Sequence, residues 1–353
     1  MLKRQANNML LTSKIPPLNS SLYDHGFTDT FFGLMHRARR VVIATGYISA
    51  DSISELHETF EINKEALKAL HLELFVGMHY FEGITKIQLE ALKSLNMFLG
   101  QNSAGNIRIV NQFKFHGKVY CFFDEKKPSA CLIGSSNLNN ISKKHPNFEV
   151  DVLVEDTGIL NNVRTMLGDL RERASIDLAE WTDPKDIPLP SPLENYGSSD
   201  KISDSDLRAL IANKTDISFD IPLKPEQKSN LNAFFGKGRE AKNGLIIPRP
   251  WYEVELIVPK EITTNNNYPK GDFTLITQDR WKFDCKTSGD YYKNLRSSND
   301  LQILGRWIKG EMENKGVLKP RELITADTIQ KFGHSSLKIT KINNGSSTWL
   351  AGW

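Results

Sequence analysis

A group of polar residues between positions 113 and 155 could together hold and cleave a phosphodiester. His116 and Lys118 are two residues apart, so alternation along a strand would send both side chains to the same face. After an apolar stretch, the run 134–137 (Gly-Ser-Ser-Asn) lies where a strand would pass into a loop that presents hydroxyl and amide donors. A lysine, a hydroxyl and an amide that converge on one point form a site for phosphoryl oxygens.

Two residues of the same segment could supply a nucleophile and its support. A neutral His116 imidazole beside a bound phosphate can attack phosphorus and form a phosphohistidine. Glu149, twelve residues after Asn137, can accept the second ring N–H, which fixes the tautomer and stabilises the charged intermediate. His-x-Lys and Gly-Ser-x-Asn are each common by chance, so the inference depends on their order and spacing.

The segment resembles the H-x-K-x4-D-x6-G-S-x-N signature of the phospholipase D superfamily, in its branch of single-motif nucleases. This resemblance implies that His116 is the nucleophile and that Lys118, Asn137 and Ser135 bind the phosphate. It implies that Glu149 supports the histidine. It also implies catalysis without a metal or cofactor. Asp124 departs from the signature, because it lies six rather than five residues after Lys118 and nine rather than six residues separate it from Gly134. No active role is therefore assigned to Asp124.

The chain has one copy of the motif, whereas the resemblance implies that catalysis needs two. A second histidine must protonate the leaving oxygen, and no other histidine of this chain has a lysine two residues later. Single-motif members pair two chains around a twofold axis to build one site. We therefore expect a homodimer through the N-terminal domain, with one His116 as nucleophile and the other as general acid.

Composition along the chain predicts two domains joined by a proline-rich segment. The stretch 181–200 contains four prolines followed by Gly-Ser-Ser, which exclude a regular helix. We expect a nuclease and dimerisation domain at 1–181, a linker at 182–200 and a DNA-recognition domain at 201–353. Strands and helices alternate before the linker, which predicts an α/β fold with a mixed sheet flanked by helices, and the resemblance implies that this sheet is phospholipase D-like. Short strands separated by turn residues after the linker predict an all-β domain.

The expected elements follow from hydrophobic periodicity. In the first domain, strands are expected at 40–48, 71–76, 106–111, 117–123, 130–134 and 148–154. Its helices are expected from an N-cap at Asp51 to about residue 70, at 84–99 and at 158–174. In the second domain the best helix candidates are 226–234 and 320–331.

The second domain resembles the B3-like pseudobarrel of NgoFVII-type restriction endonucleases. Residues 231–250 look like its first DNA-gripping loop, and 281–300 look like the second, with GRWIKG at 305–310 as a supporting strand. Residues 199–353 carry 24 Lys and Arg against 19 Asp and Glu, whereas residues 1–198 carry 21 against 23. This basic half indicates a polyanionic partner. The side chains expected to contact DNA are Lys237, Arg239, Lys242, Asn243 and Arg249 in the first loop, and Lys293, Asn294, Arg296, Ser298 and Asn299 in the second.

These features predict a sequence-specific restriction endonuclease that acts on double-stranded DNA. The resemblance also implies a separate helicase-like ATPase subunit as a partner. Three alternatives remain open at this point. Asp272, Asp284 and Lys286 loosely imitate a metal-dependent PD-(D/E)xK site. The same histidine chemistry could serve a lipid-processing phospholipase, and the dimer could bind DNA without cutting it.

Composition narrows the class of protein further. With 39% hydrophobic and 25% charged residues, the chain has the make-up of a soluble globular protein. No apolar run suits a membrane span, and the N-terminus lacks a signal-peptide pattern, so a cytoplasmic protein is expected. The three widely spaced cysteines are expected as reduced thiols in cores. Trp251, Trp281 and Trp307 are expected in the core as well.

Overall fold

The computed structural model describes residues 8–13, 26–141, 147–194, 196–197, 199–298 and 300–353. The chain divides into two compact units. Unit 1 comprises 1–189 together with 238–248, and unit 2 comprises 190–237 together with 249–353.

The first eight strands and five helices all belong to unit 1. They are β1 (Met9–Thr12), α1 (Phe27–Arg37), β2 (Arg40–Thr45), α2 (Ala50–Ile62), β3 (His71–Val76), α3 (His79–Glu82), α4 (Lys86–Gln101), β4 (Gly105–Val110), β5 (Lys118–Asp124), β6 (Lys127–Gly134), β7 (Val150–Val154), α5 (Thr157–Arg173) and β8 (Ser175–Asp177).

The later elements belong to unit 2, except the hairpin of β11 and β12, which belongs to unit 1. They are β9 (Asp200–Lys201), α6 (Asp204–Ala212), β10 (Ser218–Pro222), β11 (Arg239–Glu240), β12 (Ile246–Ile247), β13 (Leu256–Ile257), α7 (Lys260–Thr263), β14 (Asp272–Thr277), β15 (Trp281–Ser288), β16 (Asn294–Ser297), α8 (Ile303–Asn314), α9 (Ala326–Phe332), β17 (Ser336–Lys341) and β18 (Thr348–Gly352).

Unit 1 is built on a mixed eight-stranded sheet in the order β1-β7-β6-β5-β2-β3-β4-β8. The strands β2, β3 and β4 are parallel, and the other neighbours are antiparallel. Alternate residues face opposite layers: Val41 and Ile43 pack with α1, α2 and α4, whereas Val42 and Ala44 pack with α5. The predicted mixed sheet flanked by helices is confirmed.

The predicted elements of unit 1 are present with shifted ends, and β1 and α1 were not anticipated. The helix expected from an N-cap at Asp51 begins two residues earlier, because the cap is Ser49, whose Oγ accepts the N–H of Ser52 at 3.3 Å, and it ends at Ile62 and not at about residue 70. Asp51 lies in the first turn instead. The expected linker begins as part of unit 1, since the backbone of Ile84 bonds to the carbonyl of Lys185 at 2.9 Å.

Unit 2 contains an eight-stranded sheet, in which seven strands follow the order β10-β17-β18-β14-β15-β16-β13 and β9 pairs with β15. Its neighbours are antiparallel except β14 and β18. Strand β15 alternates strictly, with Trp281, Phe283 and Cys285 buried and the residues between them exposed. Residues of the sheet and of α8 and α9 form one core cluster. The tryptophans expected in the core are buried there, at 4% exposure or less, and the three cysteines are buried and free.

The predicted β fold of this unit is confirmed, and helices flank its sheet. The segment GRWIKG forms part of α8, not a supporting strand. Glycine disfavours helices, but a Cβ at Gly305 would lie 1.9 Å from the carbonyl oxygen of Tyr252, and one at Gly310 would lie 2.5 Å from Pro192. Both glycines therefore permit close packing that propensity does not reveal. The helix expected at 226–234 is also wrong, since these residues form turns before a short 3-10 turn.

Candidate active site and DNA-binding loops

Three neighbouring strands bring the predicted catalytic residues to one edge of the sheet. Because β5 and β7 are both antiparallel to β6, the start of β5, the end of β6 and the start of β7 share that edge. Lys118 begins β5, and His116 lies two residues before it. The turn of residues 135–137 follows β6, and Glu149 precedes β7. Asp124 ends β5 at the opposite edge and is exposed.

Two carboxylates at the start of β7 each bind one of two consecutive serines in this turn. Glu149 accepts the hydroxyl of Ser135, whose Oγ also accepts the N–H of Val150 at 2.9 Å. Asp151 accepts the backbone N–H of Ser136 at 3.1 Å and its hydroxyl at 2.5 Å. The two carboxylates are two residues apart, so both lie on one face of the strand. Together these hydrogen bonds fix the turn that follows β6.

Asp151 was not among the predicted site residues, although alternation from Glu149 would have identified it. Its side chain is only 2% exposed. Burial raises the pKa of the carboxyl, and the hydrogen bonds from Ser136 oppose that rise. A Cβ at Gly134 would lie 2.3 Å from Asp151 Oδ1, which explains the glycine of the motif. The hydroxyl of the buried Tyr120 donates to the Ser136 carbonyl at 2.9 Å and so stabilises the turn.

The predicted nucleophile and phosphate ligands lie at the surface of this edge. The His116 side chain is exposed, and the Lys118 ammonium donates to the His116 carbonyl at 3.2 Å. Asn137 is half-buried, and its Oδ1 has no hydrogen-bond partner among the described residues. Within the same residues, no hydrogen bond joins Glu149 to His116, because the Glu149 carboxylate binds Ser135 instead. The expected support of the histidine by this glutamate therefore remains a prediction.

Tyr47, which belongs to no motif of the sequence, packs against the predicted nucleophile. Its ring meets the His116 ring edge-on, with centroids 5.5 Å apart. Its hydroxyl donates to Glu82 at 2.7 Å, and Lys114 forms a 3.0 Å ion pair with the same carboxylate. The Tyr47 hydrogen bond lowers the pKa of Glu82, with Lys114 adding to the effect. Tyr47 lies beside His116 because β2 and β5 are neighbouring strands. The spacing of the motif does not indicate that pairing.

A second histidine lies near this group, but both of its ring nitrogens are occupied. His79 Nε2 accepts the N–H of Ile48 at 3.3 Å, and Nδ1 lies 2.9 Å from the Gly83 carbonyl, to which it donates. The side chain is buried, and burial lowers the pKa of the imidazole. His79 is therefore held as a neutral structural residue and is not free to exchange a proton with a substrate.

Residues 239–247 of the first predicted DNA-binding loop pack within unit 1. The amide of Asn243 donates to the Phe32 carbonyl at 2.6 Å. Asn63 bonds to both backbone groups of Ile246, at 2.7 and 2.8 Å, and Leu245 is fully buried in the unit 1 core. Three predicted DNA contacts of this loop remain exposed, namely Lys237, Arg239 and Lys242. Asn243 is engaged with the protein itself.

Arg249 is held by acceptors at the base of this loop. Its Nη1 forms a 2.6 Å ion pair with Glu253, and its Nε donates to the Lys237 carbonyl at 3.1 Å. Trp251 and Tyr252, which follow shortly after, are held by side chains of α8. Arg249 is about half-exposed, with a side-chain exposure of 40%.

Helix α8 places a buried lysine and a buried glutamate under residues 251–252. Lys309 donates to the Trp251 carbonyl at 2.5 Å and lies 4.1 Å from the Trp251 ring centroid. Glu313 accepts the indole N–H of Trp251 and the hydroxyl of Tyr252, both at 2.8 Å. Burial lowers the pKa of Lys309 to about 7 and raises the pKa of Glu313 to about 7.

The second predicted loop exposes fewer of the expected DNA contacts. Asn294 and Arg296 lie in β16, where Asn294 Oδ1 and Arg296 Nε are buried and have no partner among the described residues. Lys293 precedes this strand with its side chain 44% exposed, and Ser298 follows it and lines a cleft of about 330 Å³. Asn299 lies outside the described residues.

The residues that imitate a metal-dependent nuclease lie on the hairpin of β14 and β15. Asp272 faces Lys286 across the two strands at 3.7 Å, and Asp284 accepts the hydroxyl of Thr274 at 3.2 Å. Within the described part of the chain, no group of three or more His, Cys, Asp or Glu side chains could hold a metal ion. Among the same residues, no helix is long and apolar enough to cross a membrane.

Both parts of the chain match known families. Residues 27–171 match the NgoFVII restriction endonuclease N-terminal PLD domain, and residues 209–343 match the NgoFVII C-terminal B3-like DNA-binding domain. Nuc from Salmonella typhimurium, a phospholipase D family member, is 13% identical over 49% of this chain and 98% of its own, with a TM-score of 0.35. NucT from Helicobacter pylori is 14% identical over 49% of this chain and 99% of its own, with a TM-score of 0.32. No curated protein matches the chain.

Proposed function

Because the chain belongs to the NgoFVII restriction endonucleases and carries both of their domains, we propose that it cleaves DNA through a phosphohistidine on His116. Membership of this family identifies the chain as an endonuclease with a DNA-binding domain. One observation supports the mechanism most directly. The ends of β5, β6 and β7 gather His116, Lys118, the 135–137 turn and Glu149 at one edge of the sheet.

In the first step, a ring nitrogen of His116 attacks the phosphorus of the scissile phosphodiester. A P–N bond forms, the P–O bond to the leaving nucleoside breaks, and the leaving oxygen takes a proton from a general acid. Lys118, Asn137 and Ser135 donate to the non-bridging oxygens and stabilise the charge that develops on them. Glu149 stabilises the imidazolium by accepting its other N–H when substrate is bound.

In the second step, water attacks the phosphohistidine. The P–N bond breaks, a P–O bond to the water oxygen forms, and the general acid of the first step takes up the water proton. The products are a phosphate monoester on one strand end and a hydroxyl on the other. Neither step requires a metal ion, because Lys118 and the donors of the turn neutralise the phosphoryl charge.

The general acid is supplied by His116 of a second copy of this chain. Another described histidine in this region, His79, is buried and has both ring nitrogens occupied. His116 is exposed at the sheet edge, where a twofold axis can bring two copies together. One site across such an axis cuts the two DNA strands in sequence. A separate helicase-like ATPase subunit acts with the dimer and supplies any dependence on ATP.

Trapping of the covalent intermediate tests this function. Purified protein is mixed with end-labelled duplex DNA, quenched in alkaline detergent, in which phosphohistidine survives, and separated under denaturing conditions. A labelled protein band that is lost in His116→Gln is expected. Cleavage without such a band, and undiminished in His116→Gln, would contradict the mechanism. Tyr80→Ala, which changes an exposed side chain on α3, serves as the control and should retain the band.

A further inference from the structure

The turn between β15 and β16 exposes two aromatic side chains that the predicted DNA contacts do not include. Tyr291 is 61% exposed and Tyr292 is 42% exposed. Among the described residues of unit 2, Ile211 is the one other large hydrophobic side chain with comparable exposure, at 39%. We call Tyr291 and Tyr292 the tyrosine tip.

Both residues of the tyrosine tip have a strained backbone. Their φ angles are 58° and 57°, in the left-handed region that bulky L-residues avoid because Cβ crowds the carbonyl group. Burial does not offset this cost, since both rings face solvent. Unfavourable backbone conformations of this kind concentrate at functional sites, where the surrounding structure holds them. Here the turn is held by the bond from the Val258 N–H to the Lys293 carbonyl at 2.8 Å.

Two lysines flank the tyrosine tip. Lys260 Nζ lies 4.4 Å from the centroid of the Tyr291 ring, which orients that ring through a cation–π contact. Lys293 follows the tip directly, and its ammonium lies 3.8 Å from Asp290, so it partly neutralises the nearest carboxylate. Aromatic rings between cations suit a nucleic acid, because rings stack on bases while lysines approach phosphates.

We propose that Tyr291 and Tyr292 contact base faces of the bound DNA, with Lys260 and Lys293 on the flanking phosphates. The inference rests on the proposed function in one respect, namely that unit 2 binds DNA. It differs from the sequence prediction, which assigned DNA contact to polar side chains of this loop. Contact through ring faces favours an unstacked or bent duplex and does not depend on reading base edges.

The test uses the full chain with His116→Ala, so that bound DNA stays intact. A binding site is selected from random duplexes with this parent protein, and its Kd is compared with that of three derivatives. Tyr291→Ala with Tyr292→Ala should bind about tenfold or more weakly, because each base–ring contact is lost. Tyr291→Phe with Tyr292→Phe should bind like the parent, since it keeps both rings. Ile211→Ala, which removes the other exposed apolar side chain, should also bind like the parent.

A second variant separates loss of the rings from loss of the fold. Tyr291→Gly with Tyr292→Gly removes the rings while accepting the left-handed backbone, so it should keep the parent melting temperature and still bind weakly. Unchanged Kd in both ring-deficient variants would overturn the proposal. A change of oligomeric state with unchanged DNA affinity would overturn it too, because the tip would then contact protein. Failure of the parent to select any DNA would contradict DNA binding by unit 2 as well as this inference.

Discussion

Asp151 lies beneath the serine-rich turn that follows β6 and accepts both the backbone N–H of Ser136, at 3.1 Å, and its hydroxyl, at 2.5 Å. Neither residue is a predicted ligand of phosphate. Their contact nevertheless determines where Ser135 and Asn137, on either side of Ser136, present their donors. The proposed phosphate site thus depends on a carboxylate that is itself buried.

Replacing Asp151 should therefore impair cleavage through the position of the turn. Asp151→Ala removes the carboxylate that accepts from two buried groups of Ser136, which should lower the free energy of unfolding by about 2–4 kcal/mol. Displaced donors should lower kcat/KM by about 10- to 100-fold. Asp151→Asn keeps an acceptor for the backbone N–H and should recover most of the stability and part of the activity.

The matched control is Asp156→Ala, which removes the N-cap of α5, where the carboxylate accepts the N–H of Ile159 at 2.9 Å. It should cost about 1 kcal/mol and leave kcat/KM unchanged. Urea unfolding and steady-state cleavage measure the two effects. Equal activity of Asp151→Ala and the parent would refute a role for this carboxylate in positioning the turn.

Tyr47 should affect the turnover of the nucleophile more than the binding of DNA. Its ring lies edge-on to His116, with centroids 5.5 Å apart, and limits rotation of the imidazole. Tyr47→Ala should lower kcat about tenfold with little change in KM, whereas Tyr47→Phe keeps the ring and should stay near the parent. Single-turnover cleavage distinguishes the variants. A rise in KM with unchanged kcat, or an equal loss of kcat in both variants, would show that the ring does not position His116.

That the motif residues share one edge of the sheet could be predicted from the sequence, because they lie on or beside consecutive antiparallel strands, where order and spacing determine the shared edge. Strand alternation would also have identified Asp151, because it shares a strand face with Glu149. Tyr47 was not, because it lies about 70 residues earlier and approaches His116 only through the pairing of β2 with β5. Contacts of that kind depend on sheet order, which one sequence does not specify.

Subunit mixing tests the shared active site. Parent and His116→Ala protein are mixed in equal amounts, unfolded together and refolded, so that chains pair at random. If each site needs His116 from two chains, only parent pairs are active, and about one quarter of the activity of an all-parent sample should remain. A monomeric site would leave about half. Size-exclusion chromatography of the mixture confirms that dimers have re-formed.

The buried Lys309 should make stability depend on pH above neutrality. Its pKa is about 7 in the folded protein against an ordinary value of 10.5. Between these values the unfolded chain binds more protons, so the free energy of unfolding should rise with pH, by about 2–3 kcal/mol from pH 7.5 to 9.5. Glu313, whose pKa is raised from 4.5 to about 7, acts in the opposite sense below pH 7, so this window isolates the lysine.

Lys309→Met should remove that rise while keeping the packing of the side-chain stem against Trp251. Urea titrations of both proteins at the two pH values provide the comparison. A parallel rise in the variant would assign the pH dependence to other groups. Lys293→Met, at an exposed position of the same unit, is the control and should keep the slope of the parent.

The C-terminal unit was harder to predict because packing overrides local preference there. Gly305 and Gly310 argue against a helix in isolation, yet α8 needs both to approach its neighbours. The basic loop at 231–250 was recognised from composition, but composition gave no sign that Leu245 fills the core of unit 1. Charge and glycine content indicate what a loop could bind, whereas the partner of a single buried leucine is decided by tertiary structure.

Cleavage of plasmid DNA in EDTA, by the parent and by His116→Ala, tests the central claim most directly. Both reactions are run without other proteins, and a parallel set contains magnesium, ATP and the proposed ATPase subunit. We expect discrete fragments from the parent in EDTA and none from His116→Ala under either condition. Fragments that appear only with magnesium, and equally in His116→Ala, would contradict a histidine-based, metal-independent nuclease.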